Sequence, residues 1–327
     1  MQSLIMKKMK KILSSILVAS MAMSLAACGS SSDEGVYHIG ICQQLEHEAL
    51  DAATKGFQDA LIEKLGKDKV QFDLQNAQGE ATNCASIATS FVADDVDLIM
   101  ANATSALQAC AAATSEIPIV ATSVTDYATA LNISDWNGST GTNITGTSDL
   151  APLDQQVDML AELVPDVKQV GILYCSAEAN SVYQATEVGK YLDKKGIAWK
   201  EYTAADSNEI QSVVTNAIAD CDCIYVPTDN TMAANTEIIK NVTVPAGIPV
   251  IAGEEGICAG GLATLSISYY DLGYKTGEMA YEILVNNADP STMDIEYASA
   301  TDKKYNPTIA GELNITVPDD YIAIEGY

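Results

Sequence analysis

The chain of 327 residues has no arginine, two histidines, two tryptophans and three phenylalanines. With 17 lysines against 44 acidic residues, it lacks the basic surface that nucleic acid or anionic lipid requires. Between Lys69 and Lys168 there is no lysine at all. An anionic group bound in that half must be held by backbone N–H groups, hydroxyls and a helix N-terminus, which suits a carboxylate better than a polyphosphate. Neither His38 nor His47 stands in a His-Glu-x-x-His arrangement. Gly-x-Ser-x-Gly, Walker and Gly-x-Gly-x-x-Gly patterns are likewise missing, so no enzyme, cofactor or metal is expected. Cys42, Cys84, Cys110, Cys175, Cys221, Cys223 and Cys258 are odd in number, irregular in spacing and without a Cys-x-x-Cys pair. They are expected as buried free thiols rather than a disulfide or metal framework. Beyond the first thirty residues no apolar run is long enough to span a bilayer.

What is present begins with a targeting segment. Lys7, Lys8, Lys10 and Lys11 precede an apolar stretch, Ile12 to Ala22, and Leu25-Ala26-Ala27-Cys28-Gly29 resembles a bacterial lipoprotein lipobox. The resemblance implies cleavage before Cys28, lipidation of its thiol and anchoring to the outer face of the cytoplasmic membrane. Residues 1–27 are the expected leader and 28–35 a Ser-rich tether. The chain from Cys28 onward carries 13 lysines and a net charge of −31.

From Val36 onward, short apolar runs alternate with amphipathic helices. Val36 to Ile41, Val70 to Leu74, Asp97 to Ala101 and Ile117 to Ala121 read as strands, and Glu46 to Leu65, Ala81 to Ala93 and Ala106 to Ala113 as helices. The scheme returns about 130 residues later. Ile248-Pro249-Val250-Ile251-Ala252 mirrors Ile117-Pro118-Ile119-Val120-Ala121, and Val170-Gly171-Ile172 mirrors Ile39-Gly40-Ile41. Two βαβαβαβ halves predict an α/β fold of two doubly wound parallel-sheet lobes with a ligand cleft between them. Residues 36–148 plus about 267–300 are expected in lobe 1, and 149–266 plus about 301–327 in lobe 2. A long helix is predicted over Tyr269 to Val285, then a short strand near Glu312 to Thr316. Ligands of such sheets sit beyond the carboxyl ends of the strands, here the loops at Cys42–Gln44, Asn102–Ser105, Thr122–Asp126, Cys175–Asn180, Thr228–Asn230 and Gly253–Gly256.

Five runs carry a family resemblance: Asn102-Ala103-Thr104 leading into Ala106-Leu107-Gln108, Thr122 to Asp126, Gly141 to Asp149 (containing Asn-Ile-Thr-Gly-Thr-Ser), Tyr174 to Ser181, and Pro227-Thr228-Asp229-Asn230. With the lipobox and the tandem halves, they resemble the extracellular substrate-binding lipoproteins of ABC transporters. The closer likeness is to the type I periplasmic-binding family that includes tryptophan- and other aromatic amino acid-binding proteins. Ser105 and Tyr127 stand where that family often has proline. The resemblance implies capture of a free amino acid, aromatic by preference, and delivery to an ABC permease by a monomer. A branched-chain or other small carboxylate, or a sensory role for the same cleft, are the alternatives.

A free amino acid needs an anion site, a cation site and a side-chain pocket. Thr104 and Ser105, at a helix N-terminus, are the candidates for the carboxylate, with Asn102 and Thr125 beside them. Asp229 is the candidate for the ammonium, with Glu178 and Glu254 as substitutes from the same lobe. Gln44, Asp126 and Asn180 complete the expected set. Plain helix capping competes for Thr104, Ser105 and Asp229, and turn formation for Asp126. If Asp229 only holds ligand, removing it should abolish binding and leave stability intact.

Overall fold

Leu98–Asn102 and Ile119–Val124 are buried at every position, the pattern of strands covered on both faces. The computed structural model describes residues 35–298 and 300–326, so the leader, Cys28 and most of the tether lie outside the described residues. Strands β1 (Tyr37–Gln43), β2 (Val70–Asn76), β3 (Leu98–Asn102), β4 (Ile119–Val124) and β5 (Ile144–Ser148) alternate with helices α1 (Glu48–Leu65), α2 (Ala81–Ala93), α3 (Thr104–Ala113) and α4 (Tyr127–Leu131). Then come α5 (Leu153–Leu163), β6 (Gln169–Cys175), α6 (Ala179–Lys195), β7 (Ala198–Ala204), α7 (Ile210–Asp220) and β8 (Cys223–Val226). The short helices α8 (Asn230–Ala233) and α9 (Thr236–Thr243) precede β9 (Val250–Ala252) and β10 (Ala263–Ser266). The chain ends with α10 (Tyr269–Asn286), β11 (Glu296–Tyr297), β12 (Asp302–Tyr305), α11 (Pro307–Glu312) and β13 (Ile322–Ala323).

The first sheet has the order β11-β5-β4-β3-β1-β2 and is parallel throughout. The second runs β13-β12-β10-β9-β8-β6-β7, with β12 antiparallel to β10 and the other pairs parallel. In each sheet the order reverses at one strand: β1 lies between β2 and β3, and β6 between β7 and β8. At such a point the neighbouring connections diverge to opposite faces and leave a crevice beyond the strand ends. The crevices open at Gln44 and Ala103 in one lobe, and at Ser176 and Pro227 in the other.

The chain passes between the sheets three times, after β5, β10 and β11. Helix α5 adds Leu153, Val157 and Leu160 to the core of the second sheet, beside Val170 and Tyr225. Helix α10 returns to the first, where Ala280 and Ile283 pack with Ile39, Phe57 and Leu61. It approaches α1 backbone to backbone: a Cβ on Gly273 would sit 1.9 Å from the Ala53 carbonyl oxygen. All seven cysteines from Cys42 to Cys258 are buried and free. No helix among the described residues is long and apolar enough to cross a membrane.

The C-terminal region departs from the sequence reading. No strand forms at Glu312 to Thr316; Asn306 instead caps α11 through Thr308 N and Ile309 N, with Pro307 in its first turn. The place beside β10 is taken by β12. In the second lobe α8 and α9 are separated at Asn235, whose backbone leaves the helical region and whose amide donates to the Thr231 carbonyl at 2.8 Å.

Candidate ligand-binding cleft

The lobe 1 side is built from the ends of β1, β3, β4 and β5. Asn102, fully buried, donates to the Leu50 carbonyl (2.8 Å) and to Thr54 Oγ1 (3.0 Å), fastening α1 to the end of β3. Its Oδ1 has no partner. Ala103 follows at φ 86°, ψ 164°, a conformation that is easy only for glycine, and turns the chain sharply into α3. The first N–H groups of α3 face the crevice without intrahelical acceptors, and that of Ser105 donates to Gln44 Oε1 at 3.1 Å. At the bulge near the end of β4, Ser123 also has positive φ, and its buried hydroxyl has no partner. Thr125 Oγ1 donates to Asp149 Oδ1 at 3.1 Å, while Asp126 caps α4 by accepting from Thr129 N at 2.7 Å. Gly146 lets β5 run close under the β4 bulge, since a Cβ there would meet the Ala121 carbonyl oxygen at 1.9 Å.

On the lobe 2 side two carboxylates are saturated by donors. Glu178, 3% exposed, accepts from Thr231 N (2.8 Å), Thr231 Oγ1 (2.7 Å), Asn230 N (3.0 Å), Asn230 Nδ2 (2.7 Å) and Asn180 Nδ2 (3.2 Å). It therefore pins the start of α8 to the start of α6. Asp229 caps α8 through Met232 N (2.8 Å) and also accepts from Cys175 N and Ser181 Oγ, both at 2.7 Å. It ties three segments together, so its removal would cost stability as well as any ligand contact, contrary to the expectation from sequence. Glu254 accepts from Gly256 N (2.7 Å) and Ile257 N (2.9 Å).

Among the described residues two side-chain hydrogen bonds join the lobes directly. His47 Nε2 and Asn230 Oδ1 are 3.1 Å apart, and Gln184 Nε2 donates to Thr125 Oγ1 at 3.3 Å. Because Asn230 commits its amide nitrogen to Glu178, its oxygen must accept, which makes His47 Nε2 the donor. At the crossing, Tyr269 Oη donates to Asp149 Oδ2 at 2.9 Å. Between these elements remains a cavity of about 10 Å³, bounded by His47, Leu50, Asp149, Asp229, Glu254 and Tyr269. That is about the least space that can hold one water molecule. His47 Nδ1 is buried and has no partner. A larger space of about 620 Å³ adjoins it on the hinge side, sharing Glu254 and Tyr269 and reaching Tyr270 and Tyr297.

No lysine among the described residues borders the small cavity, so its acids are shifted by desolvation with no cation there to offset it. Burial pushes Asp149 up to about 6 against the pull of the Tyr269 and Thr125 hydroxyls. Burial likewise raises Glu254 to about 7, opposed by the N–H groups of Gly256 and Ile257. Asp229 is raised by burial and then by the charge of Glu178, and burial lowers His47, keeping its ring neutral.

Of the residues expected from sequence, Asp229 and Glu254 border the small cavity. Gln44, Asn102, Ser105, Asp126, Glu178 and Asn180 brace the loops around it, and Thr125 bridges the lobes through Gln184. Thr104 lies buried in the first turn of α3. Asp149, His47 and Tyr269 were missed as site residues. Asp149 closes the Asn-Ile-Thr-Gly-Thr-Ser run, which is the one sequence signal that points to it.

Comparison with known proteins agrees with this architecture. Residues 38–325 match the ABC transporter substrate binding protein family model. A tyrosine-binding protein of Clostridioides difficile is 36% identical over 296 residues, covering 85% of each chain. A structure of an ABC domain in complex with L-Trp from Streptococcus pneumonia is 35% identical with a TM-score of 0.83, covering 87% of this chain and 96% of that one. The ligand-free, open structure of a substrate binding protein with adhesive properties from Clostridium difficile is 36% identical and covers 89% of this chain and all of the other. Its TM-score is lower, 0.68, as suits a cleft that is here bridged by side-chain hydrogen bonds. The chain belongs to the ABC transporter substrate-binding protein family.

Proposed function

We propose that this chain captures a free aromatic amino acid, tyrosine or tryptophan, between its lobes and presents it as a monomer, held to the membrane by a lipid on Cys28. ABC substrate-binding proteins are extracytoplasmic, bind a small molecule and work with a permease. The relatives named for tyrosine and solved with L-Trp support the choice of ligand. The observation that carries the reading is the small cavity itself. It has the size of one ammonium group, presents Asp149, Asp229, Glu254 and the free lone pair of His47 Nδ1, and has no cation among the described residues to neutralise them. A buried charge without a partner is strongly disfavoured, so the missing charge is the ligand's.

In this arrangement the ammonium sits among Asp149, Glu254 and His47, with Asp229 behind. The carboxylate faces the N–H groups at the start of α3 and the hydroxyls of Thr104 and Ser123, where the helix dipole favours an anion. The ring points toward Tyr269 and the wider space on the hinge side. A cavity of about 10 Å³ cannot admit an aromatic side chain, so capture requires the His47–Asn230 and Gln184–Thr125 bonds to part and re-form. The role is capture rather than catalysis.

A thermal-shift screen of the purified protein against the amino acids tests this. A specific ligand at about a hundred times its Kd stabilises by about 2.7 kcal/mol. Melting unaffected by tyrosine, tryptophan and phenylalanine would overturn the aromatic assignment, and a shift with leucine alone would replace it.

A further inference from the structure

Asp149 follows β5 of the first sheet, where its N–H donates to the Val124 carbonyl at 3.3 Å, and Glu254 follows β9 of the second, yet both border the same one-water cavity. Closing the cleft therefore brings two carboxylates together in a space from which water is nearly excluded. Each is at most 3% exposed. The groups that face them add no positive charge. Asp149 meets the Tyr269 and Thr125 hydroxyls, with the neutral phenol of Tyr127 nearby. Glu254 meets two backbone N–H groups and feels the charge of Glu48. His47 faces Glu178 and Asp51, and Asp229 faces Glu178 and the Cys175 thiol, all negative or neutral. In the adjoining space Lys304 is bound to Glu255 at 2.7 Å, and Lys275 to Glu296 at 3.1 Å.

We propose that a proton and the ligand's ammonium group compete for the Asp149–Glu254 pair, so that the empty cleft closes with a proton shared between the two carboxylates and capture of an amino acid expels it. The inference rests on the reading that an ammonium group occupies this cavity. Like charges at close range in a low-dielectric site cannot both remain ionised without a cation between them. Either a proton or an ammonium supplies that cation, and the cavity has room for only one. Burial raises both acids toward neutrality, which keeps the shared proton in place in a mildly acidic medium. Asp229 and Glu178 both belong to lobe 2 and stay together whether the cleft is open or closed, so the closure-dependent proton belongs to the pair that spans the lobes. The released proton goes to the buffer. Acidification therefore loosens the ligand and favours the closed, empty receptor.

Titration calorimetry of the purified protein with L-tryptophan and L-tyrosine, in phosphate and in Tris between about pH 5 and 8, tests the exchange. The binding heat should differ between the two buffers in the direction of proton release. Kd should rise about tenfold for each pH unit on the acid side, as one exchanged proton requires. In Glu254→Gln both the buffer dependence and the pH slope should shrink. If that variant does not fold, the buffer comparison on the unaltered protein decides. Tight binding with the same heat in both buffers and a flat pH profile would overturn the proton exchange while leaving the amino-acid reading standing. Failure of both amino acids to bind at any pH would overturn the two together.

Discussion

Glu178→Gln separates support of the cleft from ligand contact. The glutamate oxygens divide their five hydrogen bonds: Oε1 serves Thr231 N and Oγ1, and Oε2 serves Asn230 N, Asn230 Nδ2 and Asn180 Nδ2. Glutamine keeps one oxygen. Placed at the Oε2 position it retains three donors, but its NH2 then faces Thr231 N–H, whose hydroxyl neighbour can rotate to accept while the backbone donor cannot. One stranded backbone donor costs about 1–3 kcal/mol, and replacing charged by neutral acceptance costs about 1 kcal/mol more. The expected destabilisation is about 3 kcal/mol. At about 2 cal/mol/K of unfolding entropy per residue this lowers the melting temperature by about 5 °C. Because Glu178 also fixes the amide of Asn230, which receives His47 across the cleft, ligand affinity should fall by about tenfold. Differential scanning calorimetry and titration with L-tyrosine read the two effects. A melting temperature within about 1 °C of the unaltered protein would show that the five-bond cluster does not hold α8.

Ala103→Gly should raise stability by about 1 kcal/mol, because relief at φ 86°, ψ 164° outweighs the added freedom of the unfolded chain; calorimetry checks the sign. Gly273→Ala should destabilise by about 3 kcal/mol or more, since α1 and α10 must separate to admit the methyl group; urea unfolding measures it. Asp149, raised to about 6, favours the closed empty protein by about 3 kcal/mol below its unfolded pKa, and that contribution disappears as pH rises through 6. The empty protein should therefore melt higher at about pH 5 than at pH 8, and saturating ligand should narrow the difference. Tyr269→Phe removes the hydroxyl that holds Asp149 ionised, so the same loss should move to higher pH, visible as a displaced melting profile.

The architecture was legible because it is written locally and twice. Ile117–Ala121 and Ile248–Ala252 are short apolar runs that only a covered parallel strand accommodates, and each ends in polar residues that cap or line. The placement of Asp229 and Glu254 follows from that alone. The rest of the site depends on chain crossings that no local pattern records. Asp149 acquires its role from Tyr269, 120 residues away, and His47 from Asn230, 183 residues away. Glu178 errs in the other direction. It reads as a free carboxylate in a loop, but donors 52 and 53 residues further on occupy it. The final strand was misread because Leu313 to Thr316 has a strand-like composition, while the adjacent edge was already filled by β12.

The return of α10 to the first sheet has a consequence for biosynthesis. By the time residue 148 leaves the ribosome, the first lobe has its central strands but not the helix that seals Ile39 and Phe57. That helix is translated only after the second lobe's strands β6 to β10. The nascent polypeptide thus stays unfinished at its front end until nearly all of it exists, which is the condition a chain bound for the far side of a membrane must meet to be threaded through before it folds.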